Sequence, residues 1–236
     1  MNKGIQRVCI WSGPVFAPIM LFCLIIMGFM PALPAAYDAA QVAAHYEENR
    51  TLIRVGGTVM MQASVLMVLW VIAISVQLQR VEDGPPILSI IQGVFGIFAN
   101  FLFTFVAAAW TVAAFRPERE ATEIQAWTDV GWFYLLMPAT VLSVQALAIG
   151  VAVLCDGRAK PLFPRWVGYY NLWIAILFLP GALVTFFKSG PFSWDGILVF
   201  WLALSLFLSW IFVMAFSVDR AIRTPVGGLT DPVRAT

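Results

Sequence analysis

The sequence predicts an all-α polytopic membrane protein built as a bundle of six transmembrane helices. Of the 236 residues, 61% are apolar and only 11% are charged. A soluble domain carries about 25% charged residues, because its surface must be hydrated. Six apolar stretches are each long enough to cross a hydrocarbon core, which takes roughly 20 residues of helix. Composition and span length therefore exclude a soluble globular chain and a disordered one.

Segments rich in proline, glycine or charge separate the six spans, and such segments interrupt helices. The expected spans are about 8–30, 52–78, 87–115, 130–154, 166–187 and 196–218. Residues 1–223 then form a single transmembrane domain, and residues 224–236 form a flexible cytoplasmic tail. The first apolar run follows Lys3 and Arg7, as in a signal peptide. At about twenty residues it is longer than a signal-peptide core, so we expect it to be retained.

The distribution of charge indicates how the chain crosses the membrane, because cytoplasmic loops are enriched in Lys and Arg. With a cytoplasmic N-terminus, nine basic and five acidic residues fall on the inner side of the bilayer. The outer side then holds five basic and eight acidic residues. We therefore expect both termini in the cytoplasm and the protein in the cell (inner) membrane.

The spans also group into three hairpins, each joined on the outer side. Residues 11–13, 91–93 and 166–168 stand at the three inner starts and read Trp-Ser-Gly, Ile-Gln-Gly and Trp-Val-Gly. All three hairpins run in the same direction, whereas alternating-access carriers are typically built from inverted repeats. The pattern predicts three pseudo-repeats of low similarity.

The middle of the spans holds neutral polar residues and no ionisable ones. Proton relays and ion-coupled carriers place ionisable groups at this depth, so the sequence argues against a pump or a cation channel. A polar side chain in lipid needs a partner, so these residues should face the bundle interior. They are Gln62, Asn100, Thr104, Ser143, Gln145, Ser205 and Ser209. They can serve as interhelical hydrogen bonds, or Gln62, Asn100 and Gln145 can line a ligand cavity.

Two prolines fall in the outer halves of their spans. Pro138 and Pro180, the latter followed by Gly181, each remove a backbone donor and can bend a helix. Two such bends could open a cavity, or they could be tolerated in ordinary packing.

Polar residues also gather at the outer ends of the spans. The two long outer loops are expected to form short interfacial helices, with Asp38 capping the first. Asp129 and Asp195 are expected to cap the spans that follow them. Another interpretation is a polar mouth over an apolar interior. Its ligand contacts would be Arg54, Trp132, Lys188 and Trp194, and its acid–base residues would be His45, Glu47, Asp129 and Asp195.

Three functions remain open. The preferred one is binding or passage of a small hydrophobic molecule or lipid through an outward-opening cavity of roughly 300–1,000 Å³. The alternatives are a membrane-embedded acid–base enzyme (an isomerase, cyclase or lipid-modifying enzyme acting on an isoprenoid- or sterol-like substrate) and a structural or accessory subunit.

The expected partners are the lipid bilayer and a small hydrophobic ligand. The sequence is compatible with a homo- or hetero-oligomer and does not indicate nucleic-acid binding. Three cysteines and one histidine show no metal-ligand spacing, so no metal and no cofactor are predicted.

Overall fold

The computed structural model describes residues 2–224, and this part of the chain is helical. It contains eight α-helices: α1 Lys3–Ile26, α2 Ala39–Ala63, α3 Val65–Leu78, α4 Ile87–Phe115, α5 Ala121–Leu136, α6 Ala139–Leu154, α7 Arg165–Leu177 and α8 Leu202–Arg223. A 3₁₀-helix, Leu179–Phe186, follows α7, and a π-helical turn, Ile197–Trp201, precedes α8. The expected tail, apart from its first residue, lies outside the described residues.

Six helical segments are long and apolar enough to cross a membrane, as the sequence predicted. They are Lys3–Ile26, Ala39–Leu78, Ile87–Phe115, Ala121–Leu154, Arg165–Phe186 and Ile197–Arg223. The second consists of α2 and α3, the fourth of α5 and α6, and the fifth of α7 and the 3₁₀-helix. The protein is therefore a multi-pass membrane protein by length and composition of its helices.

The prediction of separate interfacial helices is wrong. The first turns of α2 and α5 run without a break into the second and fourth spans. Asp38 does cap α2: its carboxylate accepts from the Gln41 amide at 2.8 Å, and the Gln41 side chain accepts from the Asp38 amide at 3.0 Å. The outer segments instead lengthen the spanning helices beyond the apolar stretch.

The capping roles expected of Asp129 and Asp195 are also wrong. Asp129 lies inside α5, eight residues after that helix begins at Ala121, so it is not at a helix N-terminus. Asp195 precedes Gly196, the cap of the π-helical turn, and its Oδ1 accepts from the Ala35 amide at 3.4 Å. Asp195 thus fastens the loop between α1 and α2 to the start of the sixth span.

Both ends of the described chain meet at one end of the bundle, here called the N-terminal face. Arg7 Nε lies 2.7 Å from Asp219 Oδ1, and Lys3 Nζ donates to Arg223 O at 3.5 Å. The opposite end, here called the distal face, carries residues 27–38, 116–120 and 187–196. The two ends of the described chain lie on the same face because the number of spanning segments is even.

The spans close into a ring because α1 packs against both α3 and α8. The ring continues from α8 through α7, α6 and α4 back to α2 and α3. Small residues allow the tightest of these contacts: a Cβ on Gly150 of α6 would lie 3.1 Å from Gly168 O of α7. Close approach of two helix backbones at small residues is typical of helix packing in membranes.

Candidate functional site

A cavity of about 140 Å³ lies in the centre of the ring, and all six spans contribute to its wall. The lining is almost entirely apolar and includes Phe16, Met20, Trp70, Phe103 and Phe207. The volume is below the roughly 300–1,000 Å³ expected for a drug-sized ligand. An apolar cavity of about 150 Å³ is nevertheless enough to hold a molecule of the size of benzene.

The cavity lies where the spans depart from regular α-helical geometry. Pro138 separates α5 from α6, and Pro180 lies at the start of the 3₁₀-helix that follows α7. Pro138 and Gly181 line the cavity, as do Val199 and Phe200 of the π-helical turn. A Cβ on Gly181 would lie 2.5 Å from Leu136 O, so glycine permits the 3₁₀-helix to approach α5. Both prolines expected to shape a cavity thus lie beside one.

Two of the three amides expected to line a cavity do so. Gln145 is only 1% exposed, and its Nε2 has no hydrogen-bond partner within residues 2–224. Asn100 also lines the cavity, and its buried Oδ1 has no partner in the same part of the chain. Gln62 instead lies exposed on the outer surface of α2. An unpartnered buried amide costs about 1–3 kcal/mol, so each of these two wall residues carries a desolvation cost that the described residues do not offset.

Two tryptophans of the wall also have unpartnered indole N–H groups, but these face the neighbouring helices. A Cβ on Gly131 would overlap the Trp110 Nε1 edge, and a Cβ on Gly13 would lie 2.8 Å from Trp70 Nε1. Each N–H edge therefore packs against the backbone of a glycine. The other polar side chains among the described wall residues are Asn100, Gln145 and Tyr134, and Gln145 Nε2 likewise packs against a glycine, Gly96.

An aromatic layer separates the cavity from the distal face. Phe29, from the loop after α1, packs 4.7 Å from the Trp110 ring and 5.7 Å from the Trp132 ring, centroid to centroid. Trp132 in turn contacts Trp194 and Phe200. We call these five residues the aromatic layer. Since Trp110 and Phe200 also line the cavity, the layer forms its distal wall.

The residues expected to form a polar mouth lie beyond this layer or within it. Trp132 is fully buried in the layer, and Trp194 donates its indole N–H to Leu33 O at 2.7 Å. Arg54 is exposed, with its Cζ 5.7 Å from the centre of the Phe115 ring, and Lys188 is exposed. None of these four lines the cavity, so the structure does not connect it to the polar distal face.

The four acid–base candidates do not converge on one point. His45 Nε2 donates to Met27 O at 3.0 Å, which anchors α2 to the end of α1. Asp195 bonds to Ala35, Glu47 is exposed, and Asp129 is half-buried on α5. The cavity lining contains none of them. His45 and Asp195 fasten the loop between α1 and α2, and the described residues show no contact that brings the four candidates together for a shared proton transfer.

A network of arginines ties the loops together at the N-terminal face. Arg158 forms a 2.7 Å ion pair with Asp156 and also donates to Arg80 O at 3.0 Å. Arg80 in turn donates to Ala221 O at 2.9 Å. Burial alone would raise the pKa of the Asp156 carboxyl, but hydrogen bonds from Arg158 and from the Leu162 amide outweigh burial and lower the pKa below its ordinary value.

Sequence reasoning missed Asn171, which is fully buried on α7. Its Oδ1 accepts from the Trp210 indole at 2.8 Å, and its Nδ2 donates to Val167 O at 2.8 Å. Trp210 lines the cavity and packs 5.5 Å from the Trp70 ring, so Asn171 fixes part of the cavity floor. An asparagine nearly two turns into an apolar span was the signal that could have found it.

No family model matches the sequence, and neither a curated protein nor a solved structure shows significant similarity to it.

Proposed function

We propose that the protein binds a small hydrophobic molecule or lipid in the central cavity. The observation that carries this proposal is an apolar cavity bounded by all six spans, with the buried carboxamide of Gln145 among its wall residues. A helix bundle without a ligand has no evident reason to keep a buried amide there, since leucine would pack without the desolvation cost. The accessory-subunit alternative leaves both the cavity and its amides without a role.

The distribution of ionisable groups favours binding over catalysis. Tyr134 is the one titratable side chain in the cavity lining of the described residues. A general acid or base must come within about 3 Å of the group it serves, or act through one water. The acid–base enzyme therefore has weaker support than the binding function.

We further propose that the ligand enters from the bilayer. Tyr134 belongs to the cavity wall and is 40% exposed, so the wall reaches the surface of the bundle at this residue. The distal route would require Phe29 to leave the aromatic layer, where it is fully buried. Lateral entry is therefore preferred to the outward opening that the sequence suggested.

The orientation in the membrane is part of the same proposal. Basic residues crowd the N-terminal face, including Arg7, Arg80, Arg158 and Arg223. The positive-inside rule then puts this face, with both ends of the bundle, in the cytoplasm, and the protein in the cell's inner membrane. The distal face points outward.

The binding function is tested by filling the cavity. Ala203 lines it from α8, and Ser205, two residues on, is exposed on the same helix. A short alkane that carries a diazirine should photolabel lining residues of the reconstituted protein and of Ser205→Phe. Labelling should fall about tenfold in Ala203→Phe, because a benzyl group occupies the space of a benzene-sized guest.

Mass spectrometry of the labelled peptides locates the adducts and also identifies compounds that copurify. The proposed function is wrong if lining residues of the unaltered protein take up no label, or if Ala203→Phe and Ser205→Phe are labelled there equally.

A further inference from the structure

We infer that the end of α8 at the N-terminal face binds the headgroup of an anionic phospholipid. The site is a surface pocket lined by Phe216, Asp219, Arg220, Arg223 and Thr224, here called the α8 pocket. None of these residues lines the central cavity, so the inference goes beyond the proposed function and does not depend on it.

The α8 pocket lies along the seam between the first and last spans. Positions 216, 219, 220 and 223 are spaced by three or four residues, so their side chains share one face of α8. Helix α1 lies beside this face: the Trp11 ring packs 5.3 Å from the Phe216 ring, and Arg7 Nε lies 2.7 Å from Asp219 Oδ1. Residues of α1 therefore contribute to the edge of the pocket.

Positive charge is in excess at this seam. Asp219 is the one carboxylate among the described residues that line the pocket, and its side chain is only 8% exposed. Both of its oxygens are engaged, since Arg7 Nε donates to Oδ1 at 2.7 Å and Arg223 Nη2 donates to Oδ2 at 2.6 Å. Three arginines, at positions 7, 220 and 223, thus share one carboxylate, which leaves a net charge of +2.

The arginines keep donors available for a ligand. Arg220 is exposed and forms neither an ion pair nor a side-chain hydrogen bond with residues 2–224. Arg7 and Arg223 each bond Asp219 through one nitrogen, so their other N–H groups remain free of it. A guanidinium group carries five N–H donors in a planar fork that matches the oxygens of a phosphate group. Asp219 thus holds two guanidinium groups in place beside a third.

An apolar surface continues from the pocket along α8. Phe216 is 59% exposed, and Phe212, one turn further from the N-terminal face, is 40% exposed. Both belong to the sixth spanning segment, so they lie at the depth of the acyl chains of the bilayer. A phospholipid presents a charged headgroup followed by hydrocarbon, in the same order as the arginines and phenylalanines of this face.

The chemistry of the pocket favours an anionic lipid over other phosphate compounds. A zwitterionic lipid would bring an ammonium group close to the excess positive charge. Inorganic phosphate has no hydrocarbon to cover Phe212 and Phe216. Basic pockets between spans on the cytoplasmic side are a recurrent way of binding anionic headgroups, and this face is the one that the positive-inside rule places in the cytoplasm.

Native mass spectrometry of the full chain in detergent tests this inference. The protein is titrated with phosphatidylglycerol or with phosphatidylcholine of identical acyl chains, and the dissociation constant of the first bound lipid is measured. Phosphatidylglycerol should bind about tenfold more tightly, because only its net negative charge is drawn to the excess of arginine.

Variants of Arg220 locate the binding. Arg220→Gln should weaken phosphatidylglycerol about fivefold, because one basic residue at the bilayer surface is removed. Arg220→Lys keeps the charge and should stay within about twofold of the unaltered protein. Arg165→Gln is the matched control, since Arg165 is an exposed arginine of the same face that begins α7 outside the pocket, and it should leave the affinity unchanged.

Three results would overturn the inference. Equal affinities for the two lipids, or equal losses in Arg220→Gln and Arg165→Gln, would show no specific site at α8. Displacement of phosphatidylglycerol by an equal concentration of inorganic phosphate would show recognition of phosphate without lipid. A gain of about fivefold or more in Asp231→Asn would assign the pocket to residues 225–236 of the chain itself.

The binding function of the central cavity is tested separately. Diazirine labelling of the cavity wall does not depend on Arg220, and the affinity for phosphatidylglycerol at the surface does not depend on the cavity. Either proposal can therefore fail while the other stands.

Discussion

Two buried side-chain amides, those of Asn171 and Gln145, differ in their hydrogen bonding. Asn171 uses its whole amide to bond Trp210 and Val167, and so joins α7 to α8. Gln145 is equally buried, but its Nε2 has no partner in residues 2–224. The hydrogen bonds of Asn171 offset the cost of burying it, whereas the cost of burying Gln145 Nε2 is not offset within the described residues. The contrast between them separates structural amides from the candidate binding site.

The ion pair of Asp156 and Arg158 leads to a pH-dependent prediction. Hydrogen bonds hold the pKa of the Asp156 carboxyl below its ordinary value, so the stabilisation is complete above that value and is lost as pH falls through the lowered pKa. Asp156→Asn should lower the free energy of unfolding by about 1–3 kcal/mol at neutral pH. The difference from the unaltered protein should shrink below about pH 4.

Unfolding of the two proteins in the same detergent, followed by tryptophan fluorescence across pH, measures this difference. Glu118→Gln serves as control, because Glu118 and Arg116 form an exposed pair 3.6 Å apart, which should contribute little. A difference between Asp156→Asn and the unaltered protein that stayed constant with pH would contradict the assigned role of the carboxylate.

Which polar residues face inward could be predicted only in part. The sequence identifies Gln62, Asn100 and Gln145 as amides within apolar spans, yet only the last two reach the cavity. The rotation of α2 about its axis decides the orientation of Gln62, and it is set by packing against α1, α4 and α5. That rotation depends on tertiary contacts, which periodicity in a uniformly apolar stretch does not reveal.

The helices themselves followed from the sequence more closely. The interruptions around residues 79–86, 155–164 and 188–196 fall where proline, glycine and charge predicted them. The starts of α2 and α5 were not predicted correctly. Helix-forming residues extend both helices beyond the apolar stretch, whereas a span predicted from hydropathy ends where the apolar stretch ends. The π-helical turn Ile197–Trp201 has no sequence signal and was also missed.

The break between α5 and α6 supports a second test of the cavity. Pro138→Ala restores a backbone donor, so the fourth span should straighten and the cavity should contract. We expect diazirine labelling of lining residues to fall several-fold while the free energy of unfolding stays the same or rises. Peptide mapping of the adducts measures the first effect, and denaturant titration the second.

Pro18→Ala provides the control for this test, since Pro18 lies exposed within α1 and outside the cavity lining. Its labelling should match that of the unaltered protein. Unchanged labelling of Pro138→Ala would mean that the proline break does not hold the cavity open.

The assembled bundle has properties that no single span contains. Composition was sufficient to predict six crossings, and the pairing of Arg7 with Asp219 puts both described ends at one face. The volume of the cavity and the position of the aromatic layer depend on side chains from several spans at once. Sequence order does not bring Phe29, Trp110 and Trp194 together, so the layer was not predicted.

Orientation is a property of the whole molecule and can be tested with one thiol. Cys155 is exposed beside α6 at the N-terminal face, whereas Cys23 is buried. In a Cys9→Ser, Cys23→Ser background, a membrane-impermeant maleimide should label Cys155 only after the cells are permeabilised. A new cysteine at exposed Glu47, in the half of α2 nearer the distal face, introduced with Cys155→Ser, should be labelled in intact cells. The reverse pattern would place the N-terminal face outside.

The contact between α1 and α8 has a consequence for biosynthesis. A ribosome delivers the first span to the bilayer long before the last one, yet Phe16 and Met20 of that first span line a cavity that α8 helps to close. Until α8 is inserted, the incomplete ring must be held by lipid or by the insertion machinery. A chain that stops after α7 should therefore be recognised and degraded as an unfinished product.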